Sequence, residues 1–293
     1  MMTYEELLKS AKFNDVEQGR LISLSYRFPM MKDYAEKFMS GDRSLESFKA
    51  TVALIEPHKT EEASLWALHM VFLCHAFALL WDSYEEKGLS RRMFDETAND
   101  LTCKVRECVL VNGDIGTVSV EWFWEFLAMK RFSFGRLQFG CNRVYPFETY
   151  TKNGYTVEKD TPVIDCHIPS GGPLTQEMCF DSYRRVWEFW HHLFDDGVIR
   201  VICGTHLFYP PYRELYGENT RLFAENFEVV TVKEYDAFHD SWRFFDTGDT
   251  SDLDRLPTRT SLQRRFIEYM KNGGTHGLSY GVMLFDGEKI VNK

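Results

Sequence analysis

The chain has 293 residues, 34 Lys+Arg against 44 Asp+Glu, a formal net charge of −10, and 44% hydrophobic and 15% aromatic residues. This length and apolar content are enough for one large core or two domains, and they exclude disorder as the dominant state. Divided at Lys130, both parts are net acidic, which excludes nucleic acid as an expected partner, because phosphate binding needs a clustered basic surface.

Up to about Lys130 the signals are helical. Met1-Met2-Thr3-Tyr4-Glu5-Glu6 lacks the basic stretch and apolar run of a signal peptide, so secretion is not expected. Thr3-x-x-Glu6 and Asn14-x-x-Glu17 have the spacing of capping boxes and predict helix starts. Thr60 before Glu61-Glu62 predicts the start of a helix over a long apolar run, and Gly88 its end after Lys87. Residues 63–81 carry no formal charge and approach the ~20 residues of a bilayer span. Their flanks are acidic rather than basic, and His69 and His75 lie inside, so the segment reads as the buried central helix of a bundle and not as a membrane anchor. A further helix is expected over 91–111, broken at Asn112-Gly113. An apolar helical cluster from Trp122 through Leu127 runs up to Lys130.

After Arg131 the period changes. Residues 136–147 and 149–157 carry aromatic and β-branched residues with an Asn153-Gly154 turn signal, as a hairpin does. Residues 161–167 read as a buried strand, followed by the breaker-rich 168–173 and an amphipathic helix over 175–194. A strand is expected over 198–208, with Gly204 marking a bulge or close backbone approach, then a helix over 212–226 after Tyr209-Pro210-Pro211. Residues 227–235 and 242–245 look like short strands. Thr260-x-x-Gln263 starts a helix to Asn272, Gly273-Gly274 ends it, and 278–285 is a last strand.

The segment with most chemistry in it is the strand, Gly/Pro loop and helix at 161–194. Such a loop presents free backbone N–H groups at a helix N-terminus, where a phosphate or pyrophosphate can sit. Neither a Walker loop nor GxGxxG is spelled there. Asp165 and His167 are two apart on one strand and so share a face beside that loop. His167 is the leading general base, because an imidazole titrates near neutral pH without tuning. Cys166 points to the other face, and as a nucleophile it would need a base from elsewhere, such as His206. His191 and His192 are adjacent and diverge by roughly 100° on a helix, so no shared metal is expected. Seven cysteines without a CxxC pair read as reduced thiols of a cytoplasmic protein.

The element order from Arg136, together with His167-Ile168-Pro169-Ser170-Gly171-Gly172-Pro173-Leu174-Thr175, Phe208-Tyr209-Pro210-Pro211 and residues 256–264 (LPTRTSLQR), resembles a bacterial acyltransferase family. Its members pair a helical N-terminal domain with a GNAT-like (N-acetyltransferase-like) C-terminal domain. The resemblance implies an α+β protein, with an α-helical domain over 1–130 and a GNAT-like mixed α/β domain over 131–293. It implies acetyl-CoA or another acyl-CoA as co-substrate and transfer of the acyl group to the amine of a small molecule or peptide. By the same resemblance Ser170, Gly171 and Gly172, with Leu174 and Thr175, fall where such enzymes hold the CoA pyrophosphate. The usual leading Gln or Arg is absent, and Pro173 removes one N–H. Arg184, Arg185, Arg264 and Arg265 are candidates for the 3′-phosphate. Tyr209, Tyr212 and Tyr216 lie where the family often places the acid that protonates the leaving thiolate, with Tyr216 and Tyr209 the expected catalytic members beside His167 and Asp165. The alternative is a GNAT-like fold kept as a non-catalytic small-molecule-binding or regulatory protein.

Overall fold

In the computed structural model, which describes residues 1–238 and 240–293, side-chain caps set where most helices begin. Thr3 and Glu6 close a capping box on α1 (Tyr4–Ser10), and Asn14 and Glu17 do so on α2 (Asp15–Arg27), as their spacing predicts. α3 (Met30–Met39) and α4 (Leu45–Ala53) follow. The apolar helix α5 (Leu65–Glu86) is capped by Ser64, which accepts from Ala67 N. It therefore starts later than Thr60 suggests, because Thr60 Oγ1 is used by Ala63 N in the preceding turn. α6 (Arg91–Asn112) ends at Gly113, whose φ of 69° is the left-handed cap expected of a glycine. The aromatic cluster near 122 is split into a 3-10 turn, Val120–Phe123, and the single turn α7 (Trp124–Leu127).

The residues pack into two units, Met1–Ser133 with Pro169–Gly171, and Phe134–Ile168 with Gly172–Lys293. In the first, α5 packs against α1, α2, α3 and α6. It is buried around nearly its whole circumference, from Ala67 to Ala78 without a break, which is why it lacks an apolar stripe. It is long and apolar enough to cross a membrane, yet 72% of its most apolar window is buried in the protein. It is a core helix, as its acidic flanks suggest.

The rest of the chain supplies β1 (Arg131–Phe134), at the point where the first unit gives way to the second, then β2 (Leu137–Val144), β3 (Tyr150–Lys152), β4 (Tyr155–Val157) and β5 (Pro162–His167). α8 (Gln176–Trp190), β6 (Ile199–Thr205), α9 (Glu218–Glu225), β7 (Glu228–Tyr235), α10 (Ser241–Phe245), α11 (Ser261–Lys271) and β8 (His276–Phe285) follow. The strand order is β1-β2-β5-β6-β8-β7, with β3 and β4 a separate hairpin. Its Asn153-Gly154 turn has both φ angles positive, as the tightest hairpin turns require. β5 and β6 run parallel through the α8 crossover, whereas β2/β5, β6/β8 and β7/β8 are antiparallel. Helices and a mixed sheet make the α+β architecture expected of the sequence.

Three expectations are corrected. The helix expected over 212–226 is a 3-10 turn, Pro210–Leu215, then α9 after Gly217, because the backbone turns extended at Tyr216 and Gly217, with ψ of 154° and 168°, and interrupts the helical run. Residues 242–245 form the end of α10 rather than a strand: Phe244 and Phe245 turn into an aromatic core with Tyr212, Phe238 and Phe266. β1 was not expected at all, since every residue in it is buried and no alternation shows.

Candidate active site

The ladder between β5 and β6 sets the geometry. It pairs Ile164 with Val201 and Asp165 with Ile202, although β5 continues to His167 and β6 to Thr205. β6 stays paired with β8 as far as Thr205↔Ser279, and β5 with β2 as far as Gln138↔His167. The two parallel strands therefore part at their carboxyl ends, the place where open α/β sheets take their ligands.

Alternation along β5 then separates two kinds of residue. Asp165 and His167 are half-buried, while Ile164 and Cys166 are buried on the opposite face. Gly140 lies across from Asp165 and Gln138 across from His167, so the strand next to Asp165 adds no side chain there. The face that carries Asp165 continues into an apolar cluster of Val163, Ile202, Val282 and Leu284. Gly204 on β6 is required as glycine, because a Cβ there would stand 2.5 Å from Cε1 of Tyr280, whose ring also lies 5.0 Å from that of Phe147. On the other face Cys166 lies against Cys203, and burial holds its thiol well above the ordinary range. A protonated, sealed thiol is no nucleophile, which removes the Cys166–His206 reading.

The loop after β5 is divided between the two units. Ser170 and Gly171 belong to the helical unit, where Ser170 Oγ donates to Glu107 Oε1 at 2.5 Å. Gly172, Leu174 and Thr175 belong to the sheet unit. Gly171 and Gly172 have φ of +94° and +80°, a conformation that favours glycine and explains the pair. Leu174 is buried, and Thr175 caps α8 by accepting from Met178 N. Arg136, a cation that no motif in the sequence singles out, donates from Nε to Pro173 O at 2.9 Å and from Nη2 to Gly172 O at 3.2 Å. It fixes the loop at the N-terminus of a 15-residue helix, where the dipole favours an anion.

The four candidate arginines separate. Arg184 and Arg185 lie on α8, Arg185 within 3.7 Å of Asp181. Arg264 and Arg265 lie on α11, which packs against α10 and the 3-10 turn Pro210–Leu215, and Arg264 donates to Thr258 O.

Tyr209, Tyr212 and Tyr216 all enter the aromatic core around Phe238 and Phe266. Tyr209 OH donates to Glu234 Oε1 at 2.8 Å and bonds Thr275 Oγ1 at 2.6 Å. Tyr216 OH bonds His206 Nδ1 at 2.7 Å, and Tyr212 OH bonds His276 Nδ1 at 2.8 Å. Burial raises all three phenols, lowers His276 and pushes His206 down to about 4, so the Tyr216–His206 and Tyr212–His276 pairs are neutral at physiological pH. Tyr216 follows the 3-10 turn rather than sitting in a helix.

The helical unit holds a constellation that the sequence reading missed. Lys104 Nζ meets Glu107 Oε2 at 2.9 Å and Arg131 Nε meets Glu125 Oε2 at 2.8 Å, all four nearly or fully buried. Trp122 Nε1 donates to Asp100 Oδ2 at 2.8 Å, and the Arg131 guanidinium lies 4.6 Å from the centre of the Trp122 ring. The visible signal was the spacing 100, 104, 107 on one helix, which places three charged residues on one face. Through Glu107 this network holds Ser170.

Comparison with known proteins agrees with this architecture. A family model described as an N-acyltransferase N-terminal domain matches residues 2–129, and one described as a GNAT-like C-terminal domain matches 132–283. Among curated proteins nothing matches. Among solved structures, an acyltransferase point mutant in complex with octanoyl-CoA aligns with a TM-score of 0.71 at 18% identity, over 96% of this chain and 87% of that one. An acyltransferase in complex with decanoyl-CoA and teicoplanin gives 0.70 at 20% identity over 96% and 87%. One in complex with CoA and 10C-teicoplanin gives 0.70 at 19% over 94% and 86%. At these identities the likeness is one of fold.

Proposed function

The chain belongs to the family that joins an N-acyltransferase N-terminal domain to a GNAT-like C-terminal domain, and from that premise we propose that it is a CoA-dependent N-acyltransferase acting on the amine of a small molecule. The observation that carries the reading is the parting of β5 and β6 next to Asp165, His167 and the capped N-terminus of α8. The pantetheine arm of an acyl-CoA is an extended chain with two amides, and backbone released from a ladder is chemically suited to pair with it. The pyrophosphate takes the N-terminus of α8 with Gly172, Leu174 and Thr175, with positive charge supplied by Arg184 and Arg185 on α8 and by Arg136, which is bonded to the loop from the β1–β2 turn.

The reaction needs one proton moved twice. The amine nitrogen attacks the thioester carbonyl, His167 takes the proton that the nitrogen sheds, the C–S bond breaks, and the thiolate leaves as a thiol after receiving that proton back. Asp165, on the same face of β5, favours the protonated imidazole between the two transfers. This scheme leaves the Tyr209 and Tyr216 hydroxyls with the partners they have. None of the seven cysteines is in a disulfide, which suits a reducing compartment, and we place the protein in the cytoplasm.

The neighbours crystallised with octanoyl-CoA, decanoyl-CoA and teicoplanin suggest which probes to use first. Calorimetric titration with acetyl-, octanoyl- and decanoyl-CoA is expected to show saturable binding of at least one, followed by amine-dependent release of free thiol. No binding of any of them overturns the reading. Binding without release to any member of a broad amine panel favours the non-catalytic alternative.

A further inference from the structure

A second site lies wholly within the helical unit, among α1, α2, α5 and the start of α3. It is a cavity of about 560 Å³, within the range of small-molecule sites. Met2, Ile22, Ala78 and Leu79 give it apolar walls. At its floor Ser25 Oγ, from α2, lies 2.8 Å from His75 Nε2, from α5, and the Tyr4 ring stands 4.3 Å from the imidazole. With Nε2 engaged by Ser25, Nδ1 is the ring nitrogen without a partner among the described residues.

The charges around the cavity bear on what it can hold. His75 is buried among helices, and burial, with Lys32 nearby, keeps it uncharged. At the mouth Lys32 faces Glu36 at 3.6 Å one helical turn away, and Glu5 adds a further carboxylate. A buried carboxylate or ammonium group would have no counter-charge at the floor, and burying an unpaired charge is costly. A neutral polar group meets a hydroxyl and an imidazole, each able to donate or accept.

We propose that this cavity is a binding site for a neutral amphiphile, an aliphatic body seated against Met2, Ile22, Ala78 and Leu79 with one hydroxyl or amide bonded to the Ser25–His75 pair. It is separate from the acyl-transfer reading and stands without it.

Isothermal titration of the full chain with 1-octanol, octanoate and octylamine tests it, the three probes sharing one chain length and differing in charge. Octanol is expected to bind saturably at one site, with octanoate and octylamine at least about tenfold weaker. Ser25→Ala is expected to weaken octanol about fivefold, the equivalent of one hydrogen bond. Ala78→Leu and Leu79→Trp fill the cavity from two wall positions and are expected to abolish binding, two variants being used in case one fails to fold. Absence of saturable octanol binding, equal affinity for octanoate, or octanol binding that survives in a folded cavity-filling variant would each overturn the proposal.

Discussion

The two faces of β5 differ in everything except their backbone. Ile164 and Cys166 are sealed, and Cys166 rests against Cys203 with its thiol held protonated. Asp165 and His167, one residue out of phase, are half-buried where the ladder to β6 stops. The histidines divide in the same way. His206 sits in the aromatic core, bonded to Tyr216 and pushed down to about 4, whereas His167 stands at a strand end. Residue type alone does not make an acid or a base. Position in the period-2 alternation, and where the strand pairing stops, do.

That contrast can be broken by experiment. The largest effect is expected from His167→Ala, which should lower amine-dependent thiol release about 10²–10⁴-fold while moving Tm by no more than about 2 °C. An unchanged rate would put the base elsewhere. Next, Ile164→Ala should cost about 2–5 kcal/mol in denaturant unfolding, with the rate per folded molecule within about threefold of the parent. A lost rate at full stability would reverse the roles assigned to the faces.

A pH series reads the sealed histidines. His69, His75 and His206 are all pushed down to about 4 by burial, below the ~6.5 of an unfolded chain. The unfolded state thus binds more protons in this window, and stability present at pH 7 should fall as pH drops from about 6.5 to about 4. The loss should be on the order of 1–3 kcal/mol per histidine, and a flat profile there would show that they are already protonated when folded. The smallest effect is a control. Thr260→Ala removes the α11 capping box and should cost about 1 kcal/mol with no change in rate. A rate that falls with it would mean that α11 acts on the site.

The parts of the fold that the sequence made legible are those decided within a few residues. The capping boxes at Thr3/Glu6, Asn14/Glu17 and Thr260/Gln263 all form, because donor and acceptor lie three residues apart. So does the shared face of Asp165 and His167, which needs only the strand period. What was hidden depended on distant partners. The helix at 241–245 exists because Phe244 and Phe245 pack on Phe238 and Phe266. The Lys104–Glu107 spacing is local, but the Trp122 that bonds Asp100 comes from 22 residues further along the chain and brings the buried Arg131–Glu125 pair against its ring. Arg136 gains its role only because the chain returns with Pro173 and Gly172 beside it.

The strand order has a consequence for synthesis. β8 is made after both β6 and β7, yet it lies between them, pairing with one from Ile199↔Phe285 to Thr205↔Ser279 and with the other from Glu228↔Val282 to Tyr235↔His276. Until residues 276–285 leave the ribosome, β7 has no neighbour in the sheet and β6 presents a bare edge of Val201, Ile202 and Cys203. Open edges of that kind invite pairing with other chains. Asn292 then fastens the late strand, accepting from Leu284 N and donating to Val282 O. A nascent chain stalled before residue 276 is therefore a far greater aggregation hazard than the finished protein.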